Sequence, residues 1–358
     1  MPGDAEIMRG DIETRRGVAR PGQPVSDPSE WRGGELAART GWFLRLDDGE
    51  IGDLFAMCRA VRAVVGEDPD RLIDFPPDAF DLGRFADRLP HIRRELKDGA
   101  GVVMLRGLPV GDMEPIDAAI AYWAIGRQLG EPMSNNPQGD LIGHVTDLGK
   151  DYRDPEVRGY QTRATMDYHC DQCTVVGLLC LRTSKSGGTS KIASSVAVYN
   201  DLLARRPDLV PVLTKPLCWS KHGEVDAGEA PYYESPVFNF LDGYLCTSFG
   251  PTHILKGHDL PGTPPLTDAQ LEALRLAEDL AEENRYELDF EVGDIQLLNN
   301  FVMLHTRNEY EDWPERERKR LLWRLWLADD GLRPPTAYAL QWRRGVRLSS
   351  TAGRIRLS

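Results

Sequence analysis

The sequence predicts a mainly β protein with flanking helices, an α+β chain whose larger part forms a β-sandwich or barrel. From about residue 140 onward, short apolar runs are separated by Gly, Pro, Asn and Asp, which is typical of short strands joined by turns. Before that point, three segments carry the apolar spacing of amphipathic helices. We find no internal repeat and no glycine-rich phosphate loop, which disfavours a repeat architecture and nucleotide-dependent chemistry.

The N-terminal third is predicted to be helical after a poorly structured start. Residues 1–35 mix charge, Gly and Pro without an apolar period, which predicts a loosely ordered arm before a single domain over 36–358. A helical elaboration covers about 40–130 of that domain. It comprises predicted helices at 49–65, 80–97 and 114–129, and a buried Val-rich strand at 101–110.

The remainder is predicted as strands interrupted by two helices. One helix spans about 197–206. The second is an insert at about 266–285 that opens with the capping-box sequence T-D-A-Q at Thr267. The predicted strands lie at 175–183, 190–199, 237–249, 288–300 and 321–328.

The composition limits the kinds of molecule that we expect the protein to bind. The 358 residues include 43 Lys and Arg against 56 Asp and Glu, a formal charge of −13, which argues against sequence-independent binding to nucleic acid or to anionic membranes. No apolar run approaches the roughly 18 residues of a membrane span, and the first residues lack a signal peptide's apolar core. We therefore expect a cytoplasmic protein with a small-molecule substrate, and leave homo-oligomerisation open. Six scattered cysteines predict no structural disulfide.

The octet MDYHCDQC at 166–173 allows two kinds of chemistry. Cys170 and Cys173 form a C-x-x-C, which could hold zinc or act as a redox pair, whereas His169 and Asp171 could bind a harder metal. In an extended segment His169 and Asp171 share one face while Cys170 points away. No second pair of closely spaced thiols completes a zinc site. We therefore assign the two cysteines to packing.

A second histidine strengthens the metal interpretation. An isolated H-x-D is a weak signal, but GDIQLLNNFVMLHTR at 293–307 places His305 at the end of a predicted strand. Two imidazoles and one carboxylate are the ligand set of non-haem Fe(II) sites, which leave coordination positions open for chemistry.

Arginines on the last predicted strand indicate an anionic ligand. In RKRLLWRLWLA at 318–328, Arg320 and Arg324 lie on the same face. A guanidinium in mid-strand is costly to bury without an anionic partner. Pairing with a distant Asp, or a position at a strand edge, would explain Arg324 alone. Because His305 lies just upstream, we favour a bound dicarboxylate.

Together these motifs resemble the TauD/TfdA family of Fe(II)- and 2-oxoglutarate-dependent dioxygenases, the clavaminate synthase-like enzymes. The motifs that carry the resemblance are H-C-D at 169–171, S-G-G-T at 186–189, the segment 293–307 and the segment 318–327. The resemblance implies a double-stranded β-helix, or jelly-roll, core.

The resemblance also implies roles for individual residues. Fe(II) would be bound by His169, Asp171 and His305. Thr189 would hydrogen-bond the distal carboxylate of 2-oxoglutarate, and Arg324 would pair with that carboxylate. Arg320 would be a second arginine near the cosubstrate, or would face solvent.

The implied reaction is oxidation, above all hydroxylation, of an unactivated C–H bond in a small polar metabolite such as an amino acid or natural-product intermediate. 2-Oxoglutarate and O2 would be consumed, giving succinate and CO2. The retained Asp171 favours hydroxylation over halogenation. Desaturation, epoxidation or cyclisation are alternatives, as is a non-catalytic jelly-roll metal-binding or sensory protein, which would leave Arg324 and Thr189 unexplained. We assign Asn135, Asn136 and His144 to turns and His222 to a structural role.

Overall fold

A computed structural model describes residues 16–150, 159–343, 345–346 and 350–357 of the chain. Within them the predicted β core with flanking helices is confirmed. The α-helices are α1 (Gly33–Ala38), α2 (Asp48–Val65), α3 (Leu89–Asp98), α4 (Pro115–Arg127), α5 (Ser195–Arg205), α6 (Val210–Leu213), α7 (Pro251–His258), α8 (Asp268–Asn284) and α9 (Ala337–Gln341). No helix among the described residues combines the length and the apolar character needed to cross a membrane.

Among the described residues the strands form one large sheet, one smaller, three-stranded sheet and three two-stranded sheets. They are β1 (Phe43–Arg45), β2 (Val102–Arg106), β3 (Glu131–Met133), β4 (Ile142–Val145), β5 (Val175–Arg182), β6 (Ser186–Gly187), β7 (Ser190–Ser194), β8 (Leu217–Ser220), β9 (Tyr232–Ser235), β10 (Phe238–Leu241), β11 (Tyr244–Thr247), β12 (Tyr286–Leu288), β13 (Ile295–Asn299), β14 (Met303–Arg307), β15 (Tyr310–Glu311) and β16 (Leu321–Ala328).

The large sheet has the order β1-β2-β13-β5-β16-β3, with β4 also paired to β16. All its pairings are antiparallel except the one between β1 and β2. The smaller sheet has the order β12-β7-β14. A cavity between the two sheets is lined by Leu178 and Leu322 from the large sheet and by Ser190 and His305 from the smaller one. This is the arrangement expected of a jelly roll.

The strand β16 shows how the alternating pattern positions the site. Trp323, Leu325 and Leu327 join the apolar core that contains α2 and α4. The alternate residues, including Leu322 and Arg324, line the cavity between the sheets. The period-2 pattern in the sequence therefore separates the core face of this strand from the site face, as predicted.

Two predicted elements differ from the observed ones at identifiable residues. The helix expected over 80–97 is divided into a 3₁₀ turn, Gly83–Arg88, and α3. Pro90 explains the division, because proline is tolerated in the first turn of a helix but not in its interior. The strand expected over 190–199 ends at Ser194, whose hydroxyl accepts a hydrogen bond from the Ala197 amide and so caps α5.

The segment 16–32 is joined to the rest of the chain by buried contacts. The Trp31 side chain is fully buried, and its indole N–H donates to the Ala100 carbonyl at 2.8 Å. Asp27 accepts from Arg333 at 2.7 Å and from Arg16 at 2.8 Å. These contacts fix this part of the predicted arm, whereas residues 1–15 lie outside the described residues. The domain boundary at residue 35 stays a prediction.

Candidate active site

Two imidazoles and one carboxylate meet between the two sheets. One ligand atom from each of His169, Asp171 and His305 lies within 4.8 Å of the others, and among the described residues this is the group of at least three His, Cys, Asp or Glu with such spacing. The His305 Nε2 atom lies 3.8 Å from the Asp171 Oδ2 atom, and the two imidazole centroids are 4.3 Å apart.

Backbone pairing brings the distant histidines together. The amide of His169 donates to the His305 carbonyl at 3.1 Å, and the amide of His305 donates to the His169 carbonyl at 3.0 Å. Residue 169 thus adds an antiparallel bridge to the edge of β14. Directly opposed residues in an antiparallel pair project to the same face, so the two rings lie side by side.

The protonation of the trio suits metal binding. The Nδ1 atom of His169 lies 2.8 Å from the Asp167 carbonyl; because a carbonyl only accepts, Nδ1 carries the proton and Nε2 is left as a lone-pair donor. Burial, with a smaller contribution from His169, lowers the pKa of His305 to about 3, so its ring is neutral at physiological pH. Burial opposes ionisation of Asp171, but the Arg324 guanidinium and the hydrogen bond from Trp326 outweigh it and lower the pKa of that carboxyl.

The two thiols of the octet are not part of this arrangement. Burial raises the pKa of the Cys170 thiol to about 12, and burial also raises the pKa of Cys173 well above its usual range. A thiol in this state is protonated and is a poor nucleophile and metal ligand. All six cysteines are free, as predicted.

Arg324 lies beside the trio and already has a carboxylate partner. Its Nη1 atom is 3.2 Å from Asp171 Oδ1, and its Nε donates to the Asn135 side-chain oxygen at 2.9 Å. The Trp326 indole N–H donates to Asp171 Oδ2 at 2.9 Å. The anionic partner that the sequence demands for Arg324 is thus Asp171, which lies 153 residues away in the chain and could not be recognised from neighbouring residues. The cosubstrate role assigned to Arg324 stays a prediction.

Arg320 is a further guanidinium in the lining of the cavity between the sheets. It is 5% exposed, and its Nη1 atom has no hydrogen-bond partner among the described residues. Its guanidinium lies over the Tyr310 ring at 5.2 Å, and burial lowers its pKa. The surrounding walls are apolar, with Val145, Phe290 and Leu322 among them. A cavity with a largely apolar surface and a desolvated cation in its lining suits a small ligand that carries an acidic group.

The S-G-G-T segment lies close to Arg320, and the residues that make this approach are other than the predicted Thr189. Gly188, at φ +78°, packs against Tyr310 and Arg320 so closely that a Cβ would lie 3.3 Å from the Tyr310 Cβ. Ser190 lines the cavity, whereas Thr189 is absent from its described lining. Ser190 pairs with Arg307 and so shares the face of His305 on the smaller sheet. The role of Thr189 stays a prediction.

A second cavity is also lined by two members of the trio, His169 and Asp171. His169, Asp171 and Arg324 belong to both cavities, as do Tyr160 and Met166. The remaining lining of the second cavity comes mostly from loops and from α7: Gly159, Asp167, Cys170, Gln172, His222, Gly250, Thr252, His253, Lys256 and Tyr338. Sequence reasoning missed Gln172, His253 and Lys256, because their positions depend on how these loops fold over the barrel.

Four residues that the sequence analysis assigned to turns or to a structural role can now be placed. Asn135 orients Arg324, as described above. Asn136 donates to Asp140 at 2.7 Å within its own turn. His144 stacks on Trp323, away from the trio. His222 lies in the lining of the second cavity, and the structural role assigned to it stays a prediction.

A two-sheet core with two imidazoles and one carboxylate beside two cavities defines the class of mononuclear non-haem iron oxygenases. The donor atoms are close enough for a single ion, and their chemistry fits Fe(II).

Comparison with known proteins identifies the family. Residues 70–326 match the family described as taurine catabolism dioxygenase TauD, TfdA family. The chain belongs to the TauD/TfdA family, and it is an oxygenase that depends on non-haem iron and 2-oxoglutarate.

Individual relatives support this membership. FR-33289 synthase of Streptomyces rubellomurinus is 28% identical over 325 residues, which cover 88% of this chain and 94% of that protein. A uridine-5'-phosphate dioxygenase of an Amycolatopsis species is 27% identical over 225 residues, 58% of this chain and 80% of that protein. An asparagine oxygenase crystallised with Fe(II), hydroxyasparagine and succinate has a TM-score of 0.63 and 20% identity, covering 82% of this chain and 97% of its own. The last likeness shows the fold and confirms the jelly-roll core.

Proposed function

We propose that His169, Asp171 and His305 hold Fe(II) and that the enzyme hydroxylates an unactivated C–H bond of a small polar metabolite. The observation that carries this proposal is the convergence of the three ligand atoms within 4.8 Å of one another, at the boundary between two cavities. When bound, iron with 2-oxoglutarate and O2 supplies an oxidant strong enough to attack an aliphatic C–H bond.

We also propose that the cavity between the sheets receives 2-oxoglutarate. Its distal carboxylate would meet Arg320, whose Nη1 atom lacks a partner among the described residues, and Ser190 would approach the same end. The alternative role for Arg324, which the sequence favoured, is weaker because that guanidinium already neutralises Asp171. In this scheme Arg324 and Trp326 orient the Asp171 carboxylate toward the metal.

The second cavity would receive the prime substrate. The residues around it exclude bulk water and place a C–H bond beside the metal, which is what the protein contributes to the reaction. Relatives that act on uridine-5'-phosphate and asparagine support a polar metabolite of amino-acid or natural-product type. Desaturation, epoxidation and cyclisation use the same ligands, and mass spectrometry of the product separates them from hydroxylation.

Metal-dependent cosubstrate turnover tests the ligand assignment. Anaerobic addition of Fe(II) and 2-oxoglutarate should produce a weak visible charge-transfer band. His169→Ala and Asp171→Ala should abolish both this band and iron-dependent succinate release. The matched control is the double variant Cys170→Ser with Cys173→Ser, which should keep both. Equal loss in the two sets of variants would contradict the ligand assignment and revive the thiol interpretation.

A further inference from the structure

The connection between β13 and β14 is hydrogen-bonded to the segment that contains the H-C-D motif. Asn300 is the first residue after β13, and His305 lies in β14. The backbone amide of Asn300 donates to the Thr174 carbonyl at 3.0 Å. At the other end of the segment, His169 and His305 exchange the two backbone hydrogen bonds described above. The segment 169–174 is therefore held at both ends by the part of the chain that carries His305.

The Asn300 side chain contacts this segment between its two ends. Its Oδ1 atom accepts a hydrogen bond from the Asp171 backbone amide at 3.2 Å. Its Nδ2 atom donates to the Cys173 carbonyl at 3.1 Å. Because Asn300 is 3% exposed, bulk water does not compete for these groups. One buried amide therefore uses both its acceptor and its donor on the backbone around Asp171.

The backbone of Asp171 has to be fixed as well as its carboxylate. Arg324 and Trp326 contact the carboxylate oxygens, but the position of the Asp171 Cβ atom depends on the main chain. Residues 170–174 lie outside any strand, so no ladder of backbone hydrogen bonds fixes Asp171. The Asn300 side chain supplies the hydrogen bonds that a neighbouring strand would otherwise provide.

We propose that Asn300 is a positioning residue, which sets the geometry of the metal site by fixing the Asp171 backbone relative to β14. The proposal rests on the proposed function in that it treats Asp171 and His305 as ligands of one metal ion. Asn300 acts through Asp171. It links the two segments that supply the ligands, which are distant in the chain.

The neighbouring residue Asn299 provides a matched control. Its side chain is also buried. Its Nδ2 atom donates to the Leu96 carbonyl at 2.9 Å, and its Oδ1 atom accepts from the Phe301 amide at 3.0 Å. Asn299→Ala thus removes the same two kinds of buried hydrogen bond as Asn300→Ala, but neither of them reaches the segment 169–174. Both variants should unfold at a lower urea concentration than the wild type.

Metal affinity separates the two asparagines. Mn(II) is titrated into the folded, metal-free protein, and the electron paramagnetic resonance signal of the free ion reports how much is bound. Asn300→Ala should weaken Mn(II) binding about 10- to 100-fold, whereas Asn299→Ala should change it by less than about twofold. Asn300→Ser leaves a smaller gap and is too short to reach both partners, so it tests the same contacts if Asn300→Ala does not fold. His169→Ala defines the loss of the site.

Two results would overturn the proposal. One is equal Mn(II) affinity in the wild type and the Asn300 variants, which would leave Asn300 a purely structural residue. The other is equal weakening by Asn299→Ala and Asn300→Ala, because the effect would then come from general loosening of the β13–β14 connection. In either case, Mn(II) binding by the wild type and its loss in His169→Ala would leave the proposed function standing. Failure of the wild type to bind Mn(II) would overturn both.

Discussion

Replacing Arg320 and Arg324 separately by Met should produce two different defects. Arg320 has an Nη1 atom without a partner among the described residues, in a cavity with apolar walls. One or two charge-assisted hydrogen bonds to a carboxylate contribute about 1.5–3 kcal/mol. At 1.4 kcal/mol per factor of ten, Arg320→Met should raise the 2-oxoglutarate concentration for half-maximal rate about 10- to 100-fold.

The two variants should also differ in the stability of the protein without metal or cosubstrate. Arg320→Met removes a buried charge that has no carboxylate within 4 Å among the described residues, so the free energy of unfolding should not fall. Arg324→Met leaves the buried Asp171 carboxylate without its cation, which should lower the free energy of unfolding by about 3–5 kcal/mol. It should also weaken Fe(II) binding, because the orientation of Asp171 is lost.

Three measurements on the two variants test these expectations. Succinate release as a function of 2-oxoglutarate concentration at saturating iron gives the cosubstrate requirement. Fe(II) titration gives the iron affinity, and urea denaturation of the metal-free protein gives the free energy of unfolding. The reasoning is refuted if Arg324→Met raises the 2-oxoglutarate requirement at saturating iron while Arg320→Met leaves it unchanged. That outcome would return the cosubstrate carboxylate to Arg324, as the sequence alone favoured.

Three further predictions concern other contacts. Trp326→Phe removes the indole donor to Asp171 and should weaken Fe(II) binding about tenfold; an unchanged titration would show that this hydrogen bond does not orient the ligand. Burial raises the pKa of Glu278 to about 7 from 4.5, so its contribution to stability is present below pH 4.5 and is lost as the pH rises through 7. The Glu278→Gln variant should therefore have a higher melting temperature than the wild type at pH 8 and the same melting temperature at pH 4.5. A difference in melting temperature that does not change with pH would contradict the raised pKa of Glu278. Trp31→Ala should lower the free energy of unfolding in urea by about 3–5 kcal/mol, because the fully buried indole leaves a cavity; a change below about 1 kcal/mol would show that the segment is not docked.

The sequence predicts the fold well where local pattern and tertiary burial agree. The period-2 pattern of 321–328 reappears as β16, and the capping box at Thr267 opens α8 as expected. The prediction from sequence pattern is wrong where a single residue sets a different boundary for a helix or strand. Pro90 restricts α3 to the second half of its predicted span, and the Ser194 cap ends β7 early. The docking of Trp31 also depends on a partner, Ala100, 69 residues away.

The residues of the site can be predicted from the sequence where they lie on regular strands. His169, Asp171 and His305 follow from strand parity and ligand chemistry, and the structure brings them together. The partner of Arg324 is not predictable in this way, because Asp171 meets it only when β16 packs beside the segment 169–171.

The two cavities that meet at His169 and Asp171 are built from different parts of the chain. Much of the cavity between the sheets is lined by barrel strands, which carry the apolar core on their other faces, whereas the second cavity is lined mainly by α7 and loops. Loops accept replacement more readily than core strands do. To change which compound the enzyme accepts, we would therefore randomise α7 and the β8–β9 loop. Such variants should differ in selectivity while they keep 2-oxoglutarate turnover.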